Sequence, residues 1–194
     1  MHTRPIVLAS SSPYRRSLLA RLRLPFEVRE PAVDEAALPG EAARETALRL
    51  AQAKARAVAP GCPTALIIGC DQVAALDGVA LGQPGTHANA VAQLKAMRGR
   101  SVIFHTALAL LDAGTGAAQL TEVPTTVRFR RYGDDEIERY LAAERPYDCT
   151  GSAKIEGIGI VLIESAESAD PTALIGLPLI ALAGMLRNQG VAIV

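Results

Sequence analysis

Ser10-Ser11-Ser12-Pro13-Tyr14-Arg15-Arg16 brings serine hydroxyls and two guanidinium forks into one short stretch. It follows directly on the apolar run Ile6–Ala9, which reads as a buried strand. Beyond it, Leu18, Leu19 and Leu22 recur at helical spacing, predicting a helix over Arg15–Leu24. Backbone N–H groups at a helix start, hydroxyls and guanidiniums are all donors, so such a junction attracts phosphate or carboxylate. The plainer alternative is a serine N-cap with solvated arginines on the first turn. Arginine is unfavourable near the positive end of a helix dipole, and two of them there suggest an anion that offsets the cost.

Three other segments carry reactive groups. Val33-Asp34-Glu35 places two carboxylates in a loop, with Lys54 on the helix that follows. Ile67-Ile68-Gly69-Cys70-Asp71-Gln72-Val73 ends a hydrophobic strand on an acid, which is costly to desolvate unless it is paired or bound to metal. The carboxyl ends of strands face the ligand crevice in open α/β sheets, so Asp71 is a candidate general base or Mg²⁺ ligand. Gln72 beside it offers a two-sided amide suited to reading a base edge. Finally, Tyr147–Gly159 is dense in glycine, hydroxyls and charge, and holds Lys154. Of 20 cationic residues only Lys54, Lys95 and Lys154 are lysine, and two of these fall in the segments just described. A chain so rich in arginine keeps lysine where a compact ammonium is needed, unless codon bias alone explains the count.

The elements that must position these groups alternate. Strands are predicted at Ile6–Ala9, Phe26–Arg29, Leu66–Val73, Val102–Leu111, Thr121–Arg130 and Ile158–Ile163. Helices are predicted at Glu41–Ala59, from Thr86 or Asn89 to Met97, from a cap at Asp134 to about Ala143, and at Leu179–Asn188. Asp77-Gly78 and Asp112–Gly116 read as hairpin turns. The pattern implies an α/β fold with a mixed sheet, in one domain over residues 1–194. Hydrophobic residues make up 49% and charged residues 21%, enough to bury a core. A net charge of zero argues against broad nucleic-acid binding. No apolar run is long enough for a membrane span, and Met1–Pro5 lacks the features of a signal peptide, so a cytoplasmic protein is expected. Cys62, Cys70 and Cys149 lack metal-ligand spacing, as do His2, His87 and His105, and His105 reads as a satisfied sheet residue. Walker-type, dinucleotide-binding and serine-hydrolase motifs are all missing.

Taken in register, these segments resemble the Maf family of nucleoside triphosphate pyrophosphatases. The resemblance rests on Leu8–Arg16, Val33–Glu35, Gln52–Ala55, Asp71–Val73, Gly151–Gly157 and Leu174–Pro178, and runs over essentially the whole chain. It implies two lobes around an elongated mixed β-sheet flanked by helices, similar to the inosine triphosphatases, with a central cleft. It also implies Mg²⁺ or Mn²⁺, a homodimer, and cleavage between the α- and β-phosphates. Carried onto this chain, Asp71 is the proton acceptor. Ser10, Ser12, Arg15, Arg16, Lys54 and Lys154 hold the triphosphate, and Glu35 joins Asp71 at the metal. Tyr14, Gln72 and Glu156 set base choice, and the three together resemble the branch that hydrolyses 7-methyl-GTP. The dTTP/UTP branch and a weakly catalytic regulator of cell division are the alternatives. One position departs from the family: Gln83 stands where a lysine is usual, which removes a charge that would neutralise phosphate.

Overall fold

Leu66-Ile67-Ile68 is apolar on both alternations, as a strand buried on both faces must be. The strand it belongs to is the axis of the fold. A computed structural model describes residues 4–194. Among them seven strands form one sheet: β1 (Ile6–Ala9), β2 (Glu27–Arg29), β3 (Leu66–Leu76), β4 (Val79–Leu81), β5 (Ser101–Asp112), β6 (Ala118–Phe129) and β7 (Ile163–Ser168). The helices are α1 (Pro13–Ala20), α2 (Ala43–Val58), α3 (His87–Met97), α4 (Asp134–Glu144) and α5 (Leu179–Asn188). The sheet order is β2-β1-β3-β5-β6-β7, with β4 also on β3. The first three run parallel and the remaining pairings are antiparallel. This is the mixed α/β sheet expected.

Period-two alternation distributes the core. Ile6, Leu8, Leu66, Ile68, Leu108 and Leu110 face α1 and α5, meeting Leu18, Leu19, Leu182 and Leu186. Val7, Ala9, Ile67, Ala107 and Ala109 face the alanine-rich side of α2. Farther along the same strands, Ala74, Leu76, Val102, Phe104, Val127 and Phe129 pack with Leu94, Ile137 and Leu141 of α3 and α4. The long β3 and β5 therefore carry two packed halves, one at each end.

The edge of β3 is interrupted between those halves. Strand β1 pairs with residues 66–69 and β4 with residues 74–76, while β5 covers the opposite edge from 66 to 75. Residues 70–73 are thus left without a strand on one side. Asp71 lies in the middle of β3 rather than at its end, two positions beyond the last residue paired with β1. The expected crevice exists because β1 stops, not because β3 does.

Several expected boundaries shift. Helix α1 begins at Pro13, capped by Ser12, and ends at Ala20. Glu27–Arg29 is a short edge strand, and α2 runs from Ala43 to Val58 before a 3₁₀ turn through Pro60. Gly133 caps α4, so Asp134 sits in its first turn. The predicted strand Ile158–Ile163 is wrong: Ile158–Leu162 is a 3₁₀ turn, and the strand is Ile163–Ser168. At Gly159 the chain folds back so closely on Lys154 that a Cβ would meet its carbonyl oxygen at 2.4 Å. Asp77-Gly78 does turn β3 into β4, with both residues at positive φ as a type I′ turn requires. His105 pairs across the β5–β6 ladder with Glu122 at 2.9 Å, as a satisfied sheet residue. Among the described residues no helix is long and apolar enough to cross a membrane. Met1–Thr3, and with them His2, lie outside the described residues.

Candidate active site

Around the open edge of β3 lies a cleft of about 770 Å³. The β1–α1 turn, the loop before α2, residues 71–73, residues 80–83, the 148–156 segment and the 174–176 loop line it. Four of the segments singled out in the sequence thus converge, together with the Leu174–Gly176 stretch.

The β1–α1 turn is preorganised by its own hydrogen bonds. Ser12 Oγ accepts the Arg15 N–H at 3.3 Å, capping α1, and Ser10 Oγ accepts the Ser12 N–H at 3.1 Å. Both oxygens are used as acceptors, so each hydroxyl proton remains to be donated. Arg15 is held in place by Nε donating to Gly176 O at 3.0 Å. The capping and anion-binding readings of this segment are therefore both realised in one geometry. Arg16 stands apart: it is exposed and lines a separate shallow groove with Leu24, Phe26 and Val28.

Asp71 points toward α2. Gly69, two residues earlier on the same face, lets that helix sit so close that a Cβ there would lie 2.1 Å from Ala51 O. Lys54 consequently reaches Asp71 Oδ1 at 2.6 Å and Glu35 Oε1 at 2.8 Å. Lys54 and Asp71 are each only 5% exposed. Burial pushes the Asp71 carboxyl above its ordinary range, against the pull of Lys54 and Arg15. The loop bearing Glu35 is strapped to α2 by Arg49, whose Nε and Nη2 donate to the two Glu41 oxygens at 2.7 Å each. Arg49 Nη2 also donates to Ala36 O. No sequence signal had marked Glu41 or Arg49.

Gln72 points to the other face of the sheet and is not free on both sides. Its Nε2 donates toward Thr106 Oγ1 at 2.9 Å and to the Ala173 and Leu174 carbonyls at 3.1 Å. The amide nitrogen is spent within the protein. Cys70 Sγ donates to Gly176 O at 2.9 Å, and burial pushes this thiol up to about 11. Asp170 braces the same loop, accepting from Thr172 and from the Ile180 N–H at the start of α5.

Lys154 stands at the edge of this arrangement. Its Nζ lies 2.5 Å from Glu144 Oε1 and 5.7 Å from the centre of the Tyr14 ring. Those bonds, to Glu144 first and then to Tyr14, raise its pKa. One face of Tyr14 thus already carries a cation. Glu156 is on the cleft wall, and desolvation raises its carboxyl pKa. Gln83 lines the cleft and is exposed. Lys95, the third lysine, pairs with Asp134 on the surface.

A buried aspartate–lysine pair, a hydroxyl and guanidinium cradle, and an amide on the opposite wall form one assembly, and the chain that builds it matches the family described as Maf-like protein over residues 5–189. The chain belongs to the Maf-like family. Relatives cover nearly all of it. The 7-methyl-GTP pyrophosphatase of Methylobacillus flagellatus is 60% identical over 190 residues, spanning 98% of this chain and 99% of the relative. That of Cupriavidus metallidurans is 59% identical over 189 residues, 97% and 95% of the two chains. The Paraburkholderia xenovorans protein of the same name is 61% identical over 188 residues, 95% and 92%. The mixed sheet and its flanking helices are thus the architecture of a Maf-like chain, and the cleft is where its reactive groups meet.

Proposed function

We propose that this chain, as a single domain, is a nucleoside triphosphate pyrophosphatase. It hydrolyses 7-methyl-GTP to the nucleoside monophosphate and pyrophosphate, and so keeps a modified nucleotide out of nucleic acid. The observation that carries the reading is the buried Lys54–Asp71 pair facing the Ser10–Ser12–Arg15 donors across one cleft. Mere binding needs no desolvated base. The relatives' shared name supplies the substrate.

In this mechanism the hydroxyl protons of Ser10 and Ser12, the Arg15 guanidinium and the start of α1 hold the phosphate oxygens. Lys154 reaches them by leaving Glu144. Asp71 Oδ2, the oxygen not bonded to Lys54 in this structure, takes the proton of the attacking water. A raised carboxyl pKa makes it a better base than an ordinary aspartate. The oxygen of that water ends on the monophosphate, and pyrophosphate leaves. Glu35 Oε1 and Asp71 Oδ1 converge on the point held by the Lys54 ammonium, and these two carboxylate oxygens would hold a divalent ion once the ammonium moves aside. Two hard carboxylates completed by phosphate oxygens suit Mg²⁺ or Mn²⁺. Among the described residues no cluster of three ligating side chains would hold an ion without the substrate. Such an ion, when bound, would supply neutralising charge to the phosphates. Tyr14 offers a ring face to the cationic 7-methylguanine, and Glu156 a carboxylate to its N–H edge. The protein acts in the cytoplasm as a homodimer, without nucleic-acid or membrane partners.

The test is pyrophosphate release with Mg²⁺ from 7-methyl-GTP, GTP, dTTP, UTP and CTP, with Asp71→Asn as control. Selective release from 7-methyl-GTP, lost in the variant, is expected. Release from dTTP or UTP instead overturns the base assignment, and no release from any substrate overturns the enzymatic reading.

A further inference from the structure

Gln72 and Thr106 face each other directly in the β3–β5 ladder. Thr106 is fully buried between Phe104 and Leu108 on its face of β5, so its hydroxyl needs a reason to be there. It has two partners: it donates to Ala173 O at 3.0 Å and accepts from Gln72 Nε2 at 2.9 Å. The hydroxyl therefore ties the wall loop to the strand and holds the glutamine at the same time.

This arrangement fixes which end of the amide is which. Turning Gln72 over would set Oε1 against the Ala173 and Leu174 carbonyls, which can only accept. It would also set it against a hydroxyl whose proton already lies on Ala173 O. The end left for the cleft is Oε1, an acceptor. Glu156, which also lines the cleft, is a second acceptor. Guanine presents adjacent donors, N1–H and the 2-amino group. Adenine and cytosine each pair a donor with an acceptor on that edge, and uracil flanks its single N–H with two carbonyls.

We propose that Thr106 is a positioning residue for base selection: through its hydroxyl it locks Gln72 as an acceptor, so the cleft takes bases whose edge carries adjacent N–H donors. This deepens the proposed function and rests on it. Thr106 does not touch substrate, and its effect on base choice passes through Gln72, while its bond to Ala173 O braces the loop.

The experiment is a double-variant cycle read as the ratio of kcat/KM for 7-methyl-GTP to that for UTP. Thr106→Val keeps shape and removes only the hydroxyl. It should lower the ratio about tenfold, the worth of one hydrogen bond, through KM rather than kcat. Thr106→Ser should restore it. In a Gln72→Leu background, Thr106→Val should change the ratio no further. A thermal melt of each variant separates lost selectivity from lost fold. On the wild-type protein, 7-methyl-ITP lacks only the 2-amino donor and should fall at least tenfold below 7-methyl-GTP. An unchanged ratio in Thr106→Val, an additive cycle, or equal use of 7-methyl-ITP overturns the inference and leaves the proposed function standing. A wild-type protein that prefers UTP or releases no pyrophosphate overturns the proposed function, and the inference with it.

Discussion

Replacing Gly69 by alanine asks whether the close seating of α2 on β3 brings Lys54 to Asp71. Gly69 has an ordinary strand φ, so the substitution acts through space alone. The new Cβ would lie 2.1 Å from Ala51 O and 2.8 Å from Ala55 N, both backbone atoms of α2. No side chain can swing aside, so helix and strand must part by about 1 Å, an overpacking that costs about 1–3 kcal/mol. For a chain of this size each kcal/mol lowers Tm by about 2–4 °C. Lys54 lies on the displaced turn of the helix, and its 2.6 Å bond to Asp71 would lengthen. A misplacement of about 1 Å in a catalytic group reduces turnover on the order of 100-fold. Thermal melts and pyrophosphate release from 7-methyl-GTP read the two effects separately. Gly184→Ala is the control: nothing lies within 4 Å of its added Cβ, and in the middle of α5 it should gain about 0.4–1 kcal/mol. A Gly69→Ala protein with wild-type Tm and kcat would refute the argument that this glycine builds the site.

Lys54→Met leaves Asp71 buried and uncompensated, which should destabilise by about 3 kcal/mol, whereas Lys54→Met with Asp71→Asn should recover most stability and no activity; urea melts that show equal losses would contradict this. Arg4 first, and then Thr115, hold the Asp112 carboxyl down at about 2, and Arg49 does the same for Glu41. A carboxyl lowered in the folded state stabilises fully above its unfolded pKa and loses that contribution as pH falls through the folded one. Tm should therefore hold down to about pH 4.5 and fall between there and pH 2, partly offset by Asp71 and Glu156, whose pKa values are raised. Asp112→Asn should flatten that fall, and an unchanged acid slope would show the pair to be inert. Gln83→Lys restores an ammonium at an exposed cleft position and should raise turnover by up to about tenfold, so equal or lower activity counts against a deficit of charge there.

Strands and helices buried on apolar faces were readable from period alone, as β1, β3, β5 and α5 show. What escaped was structure without an apolar signature. Strand β7 reads Ile-Glu-Ser-Ala-Glu-Ser and is exposed along its length, so no alternation marks it. The apolar run before it was mistaken for the strand, although its glycines serve a back-folded turn. At the site, the cationic turn, Asp71 and Lys54 were legible because charge and hydroxyls stand out against an apolar chain. Thr106 was not, because its two partners lie 34 and 67 residues away and nothing local distinguishes it from a β-former. Gln72 was legible as a hydrogen-bonding group of the cleft and misread as two-sided, since the carbonyls that occupy its nitrogen are brought in from 101 and 102 residues away. Arg16 and Lys154 look equivalent to Arg15 and Lys54 in the sequence. Only the fold places one on a separate groove and the other on Glu144.

The same separations order the assembly of the site in time. Lys54 and Asp71 lie 17 residues apart, and Ser10 and Arg15 five, so these contacts close small loops. Arg15 meets Gly176 across 161 residues, and a loop that long costs about 2 kcal/mol more to close than the Lys54–Asp71 one. On a ribosome Ser10, Arg15, Lys54 and Asp71 emerge and can meet well before the Ala173, Leu174 and Gly176 carbonyls that hold Gln72 and Arg15. The 170–178 loop arrives late, and with it Gln72 acquires its orientation and Arg15 its anchor. A chain cut short before this loop would lack the carbonyls that orient Gln72 and anchor Arg15, and with them Leu177, Leu182 and Leu186 of the core packed on α1.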